Sequence, residues 1–376
     1  MDFSIFGLGN VGNNVFNILN KKNKILTFSK NNRFNCLNKF NKNKYEKLFK
    51  NKNLFIELIG NIHVVIEIIL NCLKKKNNYI SANKDLISKY LFFINYLFKI
   101  NNKKIYYEAS VCGSLPIINL LDKFYSKENI NYFFGILNGT CNYILTNIEK
   151  MSFLKLIKIS IKKGISEKNY EKDIFGFDTL FKFSILLSKI KNFYICCNIF
   201  YLESIFNLSN YIRKIFFKKK FLSFYLNINN YLFINVSLFL TKNIFFIKSK
   251  NSLNTIILNC KNSKKTVLTS LGAGGLSTAA SVVSNFYQFF EKKIFFKYNC
   301  FKKVKIINKN FLCLNYLIKF KFDYNIFYFL NILKINFLKF YFNKYILIKT
   351  KKIYYKKILF FLYFFKKKKF FIYKLL

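Results

Sequence analysis

Proline occurs once in 376 residues, tryptophan never and histidine once, and only 16 residues are acidic. Each scarcity excludes something. With His63 as the sole histidine, histidine metal sites, His-based triads and imidazole acid–base chemistry drop out. No apolar run reaches about 18 residues, so a membrane span is not expected. The longest candidate, 90–98, is interrupted by Asn95. The N-terminus begins MDFSIFGLGN without a basic stretch and reads directly into a strand, so no signal peptide is expected. The nine cysteines include no CxxC pair, which suits a reducing cytoplasm with cysteines as small apolar fillers.

What is abundant is lysine, asparagine, isoleucine, phenylalanine and tyrosine, with 64 basic residues and a formal charge of +48. These residue types are written by A/T-rich codons, and the missing proline and tryptophan need G or C. A compositional bias therefore explains the charge better than a polyanionic partner does. The lysines run through the whole chain and do not gather on one module, so no specific nucleic-acid partner is expected. A hydrophobic content of 52% marks a globular chain, long enough for two or three domains.

The first chemistry-bearing segment is GLGNVG, Gly7 to Gly12. Phe3 and Ile5 alternate before it as in a strand, and Val11, Val15, Ile18 and Leu19 follow at helical spacing. In that strand–turn–helix context Gly7 permits a tight turn, Gly9 lets a pyrophosphate approach the backbone, and Gly12 lets helix and strand pack. The helix start, with Asn10 and Val11, offers free N–H groups to the phosphates. A second strand, 25–28, leads to Lys30 and Arg33 with no acid to hold a ribose 2′-hydroxyl, which favours NADP and leaves NAD as the alternative. FIELIG (55–60) reads as a buried strand, with Ile62, Val65, Ile66, Ile69 and Leu73 as one face of the helix after it and His63 off that face. NYISANKDL (78–86) is a further strand whose carboxyl end puts Asn83 and Lys84 where an open parallel sheet binds ligands.

Further on, 105–110 reads as a strand, Pro116 opens a helix, 130–138 returns as a strand, and Ser152 and Gly164 bracket another helix. Glu167, Glu171, Asp173 and Asp178 then fall within twelve residues of a chain poor in acids. An ammonium-bearing substrate accounts for such a cluster; a solvated acidic loop balancing nearby lysines accounts for it equally well on spacing alone. Asp178 and Lys182 stand four apart and share a helical face.

The order of blocks GLGNVG, FIELIG with YISANKDL, YYEASVCGSLPII with GILNGTCNYIL, KKGISEKNYEKDIFGFDTLFK and SLGAGGLSTAASVVSN resembles the homoserine dehydrogenase family, across most of residues 1–290. The resemblance implies an α/β fold. A Rossmann domain would take 1–107 completed by 270–290, and an α+β catalytic and dimerisation domain with a mixed sheet would take 108–269. It implies NAD(P)H-dependent reduction of L-aspartate 4-semialdehyde to L-homoserine by a cytoplasmic homodimer. Position by position, it makes Glu167 and Asp178 substrate-binding, places Asp173 in the same site, makes Lys182 the acid/base and brings Lys84 to the reacting centre. Gly164 and Gly274 match cofactor-touching positions. A structural, sodium-like monovalent cation would take Glu108 and the carbonyls of Val111, Gly113 and Leu115. Tyr170, Ser277 and Asn285 depart from the family's proline, proline and aspartate.

Residues 291–376 read strand (316–322), helix (326–333), strand (337–342), strand (345–349), helix (353–365), strand (370–375). That βαββαβ order resembles an ACT regulatory domain, which many family members carry, but DYNI after the first strand lacks the usual glycine and proline, so a degenerate domain is expected. Two other readings stay open. One is a Rossmann dehydrogenase of another amino acid; the other is a decayed, non-catalytic basic protein that binds RNA.

Overall fold

The computed structural model describes residues 3–19, 25–28, 53–166, 169–206, 218–228, 231–272, 274–290, 305–306, 313–321, 335–342, 345–354 and 371–375. Lys30, Arg33 and Glu167 lie outside these residues.

Four-residue runs such as FSIF, LFIE and NYIS are too short for helices and bury their apolar side chains, so they pair as strands. They form a parallel sheet in which β1 (Phe3–Phe6), β2 (Ile25–Phe28), β3 (Leu54–Glu57), β4 (Asn78–Ser81) and β5 (Ile105–Tyr106) are ordered β2-β1-β3-β4-β5. Helices α1 (Asn10–Leu19), α2 (Ile62–Lys74) and α3 (Lys84–Ile100) make the crossovers that parallel pairing requires. On α2 the buried residues are Val65, Ile68, Ile69, Cys72 and Leu73, and His63 is exposed. The order reverses at β1, so the loops after β1 and β3 open beside each other at the carboxyl edge, where such sheets bind ligands.

Strand β5 stops after Tyr106, shorter than the 105–110 run suggested, because Glu108–Ser110 form a 3-10 turn. Its first N–H, that of Glu108, donates to Asn285 Oδ1 at 2.9 Å. Beyond it come α4 (Ile117–Lys123), β6 (Ile130–Ile136), α5 (Gly139–Asn147), α6 (Phe153–Lys162), α7 (Glu171–Ile174) and α8 (Phe177–Lys191). Pro116 sits at the cap of α4, one position before its first turn. Ser152 occupies the cap of α6 without making a side-chain capping bond. Helix α8 is buried on nearly every side, from Asp178 to Lys189, and forms the floor of this half.

After α8 come β7 (Tyr201–Leu202), β8 (Lys218–Ile228), β9 (Tyr231–Thr241), α9 (Ile244–Lys248), β10 (Leu253–Cys260) and β11 (Lys264–Leu271). These strands and β6 make a mixed sheet running β11-β10-β6-β8-β9. The chain then returns as α10 (Gly275–Phe290), which packs on α1 and sets Phe286 against Phe3 with ring centroids 4.9 Å apart.

The tail extends the same sheet. After β12 (Lys305–Ile306) come β13 (Cys313–Lys321), β14 (Phe337–Phe342), β15 (Tyr345–Thr350), β16 (Ile353–Tyr354) and β17 (Phe371–Leu375). Their order is β17-β13-β15-β14, and β17 joins β9 in parallel. A helix expected from residue 353 does not begin there: Ile353 and Tyr354 pair as a strand with Leu314 and Cys313. A β-branched residue beside a tyrosine favours the pleated edge over a helix start. The other expected helix, 326–333, lies outside the described residues. Among the described residues no helix is long and apolar enough to cross a membrane.

Candidate active site

The glycine loop is built as its spacing requires. Gly7 has φ +98°, and a Cβ there would meet the Leu58 carbonyl at 2.7 Å; one on Gly12 would meet the Gly7 carbonyl at 1.9 Å. Gly9 by contrast faces open space, with nothing within 4 Å of where a Cβ would stand. The loop thus offers an unobstructed backbone surface at the start of α1, which fits a pyrophosphate. Asn10 and Val11 open that helix. Gly274 precedes α10, and its neighbour Gly275 packs so closely on Asn10 that a Cβ would lie 2.4 Å from Asn10 Oδ1. Ser277, where the family has proline, closes the same turn by donating to the Gly274 carbonyl at 2.9 Å.

One strand away, Asn83 caps α3: its Oδ1 accepts from Leu86 N at 2.9 Å and its Nδ2 donates to the Ile59 carbonyl at 3.0 Å. The amide therefore organises the turn, and Lys84 follows as the first helical residue.

Lys84 leaves the first sheet and meets the acidic block. Asp178, in the first turn of α8, is 2% exposed and pairs with Lys84 through Oδ1 and with Lys182 Nζ at 2.9 Å through Oδ2. Lys182 also donates to the Leu137 carbonyl at 3.2 Å. The same Asp178 oxygen accepts from Asn138 Nδ2 at 2.7 Å, and that nitrogen donates to Asp173 Oδ1 at 2.8 Å. Asn138 Oδ1 meanwhile caps α5 by accepting from Cys141 N at 2.7 Å. Gly176 makes the geometry possible: with φ +85° it turns the chain from α7 into α8, and a Cβ there would strike the Glu203 carbonyl at 2.9 Å.

The two aspartates differ in their electrostatics. Burial pushes Asp178 up, but the ammonium groups of Lys182 and Lys84 outweigh it and hold the carboxyl well below the usual range. Asp173 is raised, first by burial and then by the negative charge of Asp178, with Asn138 and the lysines opposing. One carboxylate is thus held firmly anionic beside two ammonium groups, and a second stands within reach of the same amide.

The structure brings together Lys84, Lys182, Asp178 and Asp173 from the expected residues, and Gly7, Gly9, Asn10, Val11, Gly12 and Gly274 around the glycine loop. Gly164, with φ +66°, ends α6 next to Ile165, whose carbonyl accepts from Thr140 Oγ1 at 3.3 Å, beside α5. Glu167 lies outside the described residues, although Ser166 before it reaches Asp173 Oδ2 at 3.4 Å. Sequence reasoning did not single out Asn138 or the Leu137 carbonyl. The NGT motif was visible, but nothing in it signals an amide shared by two acids 35 and 40 positions away.

Within the set Glu108, Val111, Gly113 and Leu115, two members already accept hydrogen bonds from the protein. Both Glu108 oxygens accept backbone N–H groups at 2.8 Å, from Ile118 and Asn119, and the Gly113 carbonyl accepts Ser281 Oγ at 2.5 Å. Glu108 caps α4, and burial raises its carboxyl to about 7. These hydrogen bonds fix the loop between the 3-10 turn and α4. Among the described residues no cluster of three or more His, Cys, Asp or Glu side chains is arranged for a metal.

A family model described as homoserine dehydrogenase matches residues 116–286. The homoserine dehydrogenase of Bacillus subtilis is 34% identical over 136 residues, 36% of this chain and 31% of that protein. That of Helicobacter pylori is 36% identical over 36% of this chain and 32% of its own length, and that of Neisseria gonorrhoeae 26% identical over 63% and 56%. The matched stretch thus spans about a third of the first curated relatives. Among solved structures, a homoserine dehydrogenase from Thiobacillus denitrificans has the same fold, with a TM-score of 0.86 at 19% identity over 100% of this chain and 98% of that one. One from S. aureus has a TM-score of 0.75 at 20% identity, with the same coverage.

Proposed function

We propose that this chain, which belongs to the homoserine dehydrogenase family, reduces L-aspartate 4-semialdehyde to L-homoserine with a nicotinamide cofactor. One observation carries the reading. A buried carboxylate, Asp178, gathers two lysines from the two halves of the molecule while sharing Asn138 with a second carboxylate.

In this reading the cofactor, when bound, supplies the hydride. The backbone around Gly7, Gly9 and Gly12 and the start of α1 hold its pyrophosphate, with Gly164, Gly274 and Asn83 along its path. The sequence after the second strand carries Lys30 and Arg33 and no acid, a composition that suits a 2′-phosphate and makes NADP the preferred form. Lys182 gives its proton to the oxygen that becomes the hydroxyl, and Lys84 lowers the energy of the charge developing there. The substrate's ammonium displaces a lysine from Asp178, with Asp173 and Glu167 completing the acidic set. Catalysis of this kind needs the donor and the carboxylates fixed before substrate arrives. The bonds of Asn138 and of the Leu137 carbonyl supply that rigidity.

The same reading has the chain working as a cytoplasmic homodimer whose tail is a degenerate ACT-like domain. The tail's strand order, first strand between fourth and third, is the one a βαββαβ chain adopts.

A substrate panel tests the reading. Aspartate semialdehyde is expected to oxidise NADPH, whereas succinic semialdehyde, which lacks the ammonium, is expected to react at least about a hundredfold more slowly. Equal rates with both would show that the carboxylates do not read an ammonium, and no rate with either by folded protein would end the proposal.

A further inference from the structure

Glu57 ends β3 and is fully buried, in a chain that has few acids to spare. Burying a carboxylate is expensive unless its hydrogen bonds are met, and a neutral side chain would fill the space at less cost. Here its bonds are met by neutral donors: Ile59 N at 2.5 Å on one oxygen and Ser81 Oγ at 2.7 Å on the other. Ser81 Oγ in turn accepts Asn83 N at 3.0 Å, and Asn83 Nδ2 returns to the Ile59 carbonyl at 3.0 Å. The four residues close a ring that joins the loops after β3 and β4. Asn83 caps α3, whose first residue is Lys84. On its other side Glu57 is followed by Leu58, whose N–H donates to the Phe6 carbonyl at 2.8 Å and whose own carbonyl fills the space beside Gly7.

We propose that Glu57 is a positioning residue: its carboxylate locks the turn that presents Lys84 against the loop beneath the glycine turn, and so sets where the Lys84 ammonium stands. Glu57 touches neither substrate nor cofactor in this account; it acts through Ser81 and Asn83. The proposal rests on the reading above, in which Lys84 works at the reacting centre. Glu57 and Asn83 both bridge the two loops with their side chains, and Glu57 is the charged one, reaching Ile59 in its own loop and Ser81 at the end of β4.

The test compares full-length wild type with Glu57→Gln and Ser81→Ala. It measures NADPH affinity by fluorescence, kcat and KM for the semialdehyde, thermal midpoint, and acylation of the Lys84 amine by mass spectrometry. A displacement of Lys84 by a fraction of an ångström is expected to lower kcat by about tenfold in Glu57→Gln, with KM and NADPH affinity within about threefold. Acylation of Lys84 is expected to quicken as its ammonium leaves Asp178, and Ser81→Ala is expected to move both readouts the same way by less. Wild-type kcat and wild-type Lys84 labelling in both variants would overturn the proposal. So would a lowered thermal midpoint with unchanged Lys84 labelling, which is the signature of a merely structural role. If Glu57→Gln does not fold, Ser81→Ala is judged by the same criteria. If wild type has no turnover with the semialdehyde, the functional reading fails, and the labelling comparison alone decides whether Glu57 positions Lys84.

Discussion

Two buried regions of the molecule treat carboxylates in opposite ways. At the acidic block, Asp178 sits between Lys84 and Lys182, and its carboxyl is held below the ordinary range despite its burial. At the strand ends and under α4, Glu57 and Glu108 are just as inaccessible but are held by N–H and O–H donors, and burial lifts both to about 7. The first arrangement concentrates full charges at the site where the proposed function binds a charged ligand and moves a proton. The second uses acceptor geometry to pin loops, and formal charge there is a cost. In a chain of net charge +48 the difference is informative, because ammonium groups are abundant and Asp178 collects two of them while Glu57 and Glu108 are bonded by neutral donors.

The sharpest way to break the comparison is to neutralise Asp178. Asp178→Asn removes the anion that pairs with both Lys84 and Lys182, and is expected to cost about 3–5 kcal/mol of stability. Denaturant titration checks this, and a variant as stable as wild type would show that the pair is not held by Asp178. Next in size is the pH dependence of stability. A carboxyl whose pKa is raised on folding favours the folded state below about 4.5, its ordinary value, and that advantage is lost as pH climbs towards about 7. Glu57 and Glu108 are each expected to contribute about 3 kcal/mol to this decline. Asp178 acts in the opposite sense: its contribution is present above the ordinary carboxylate range and disappears as the solution is made strongly acid. Thermal midpoints of Glu108→Gln between pH 5 and pH 8 should therefore fall less steeply than those of wild type, and parallel curves would contradict the assignment.

A smaller effect is expected at Asn138. Asn138→Ala removes the cap of α5 and the amide between Asp173 and Asp178, and about 1–2 kcal/mol should be lost. Its larger signature is a raised KM for the amino-acid substrate with NADPH affinity unchanged. The smallest effect is expected at the exposed pair Lys172–Asp85, which also links the two halves. Lys172→Ala should cost less than about 1 kcal/mol, and the cost should vanish in high salt.

The sequence made the local motifs legible and left their meeting points hidden. Gly7, Gly9 and Gly12 are readable because a strand, a turn and a helix follow within twenty residues, and Asp178 with Lys182 because four positions on a helix share a face. The contact of Lys84 with Asp178 joins residues 94 positions apart, and no periodicity encodes it. Glu57 was readable as part of a buried strand, but its ring through Ser81 and Asn83 exists only once β3 and β4 are adjacent. Glu108 is expected from the resemblance to hold a cation; that its carboxylate also caps α4 is a contact that spacing alone does not signal. In the tail, Phe, Ile, Lys and Tyr recur so evenly that strand and helix compete. Ile353 and Tyr354 resolved to a strand because β13 offered them a partner.

The central claim is that Lys182 is the proton donor of a semialdehyde reductase. Its most direct test is the oxidation of NADPH by aspartate semialdehyde, for wild type and Lys182→Ala, with NADPH binding measured on both. Wild type is expected to turn over, and the variant to bind NADPH normally while losing about 10²–10⁴-fold in kcat. A folded variant that keeps near-wild-type kcat would contradict the account.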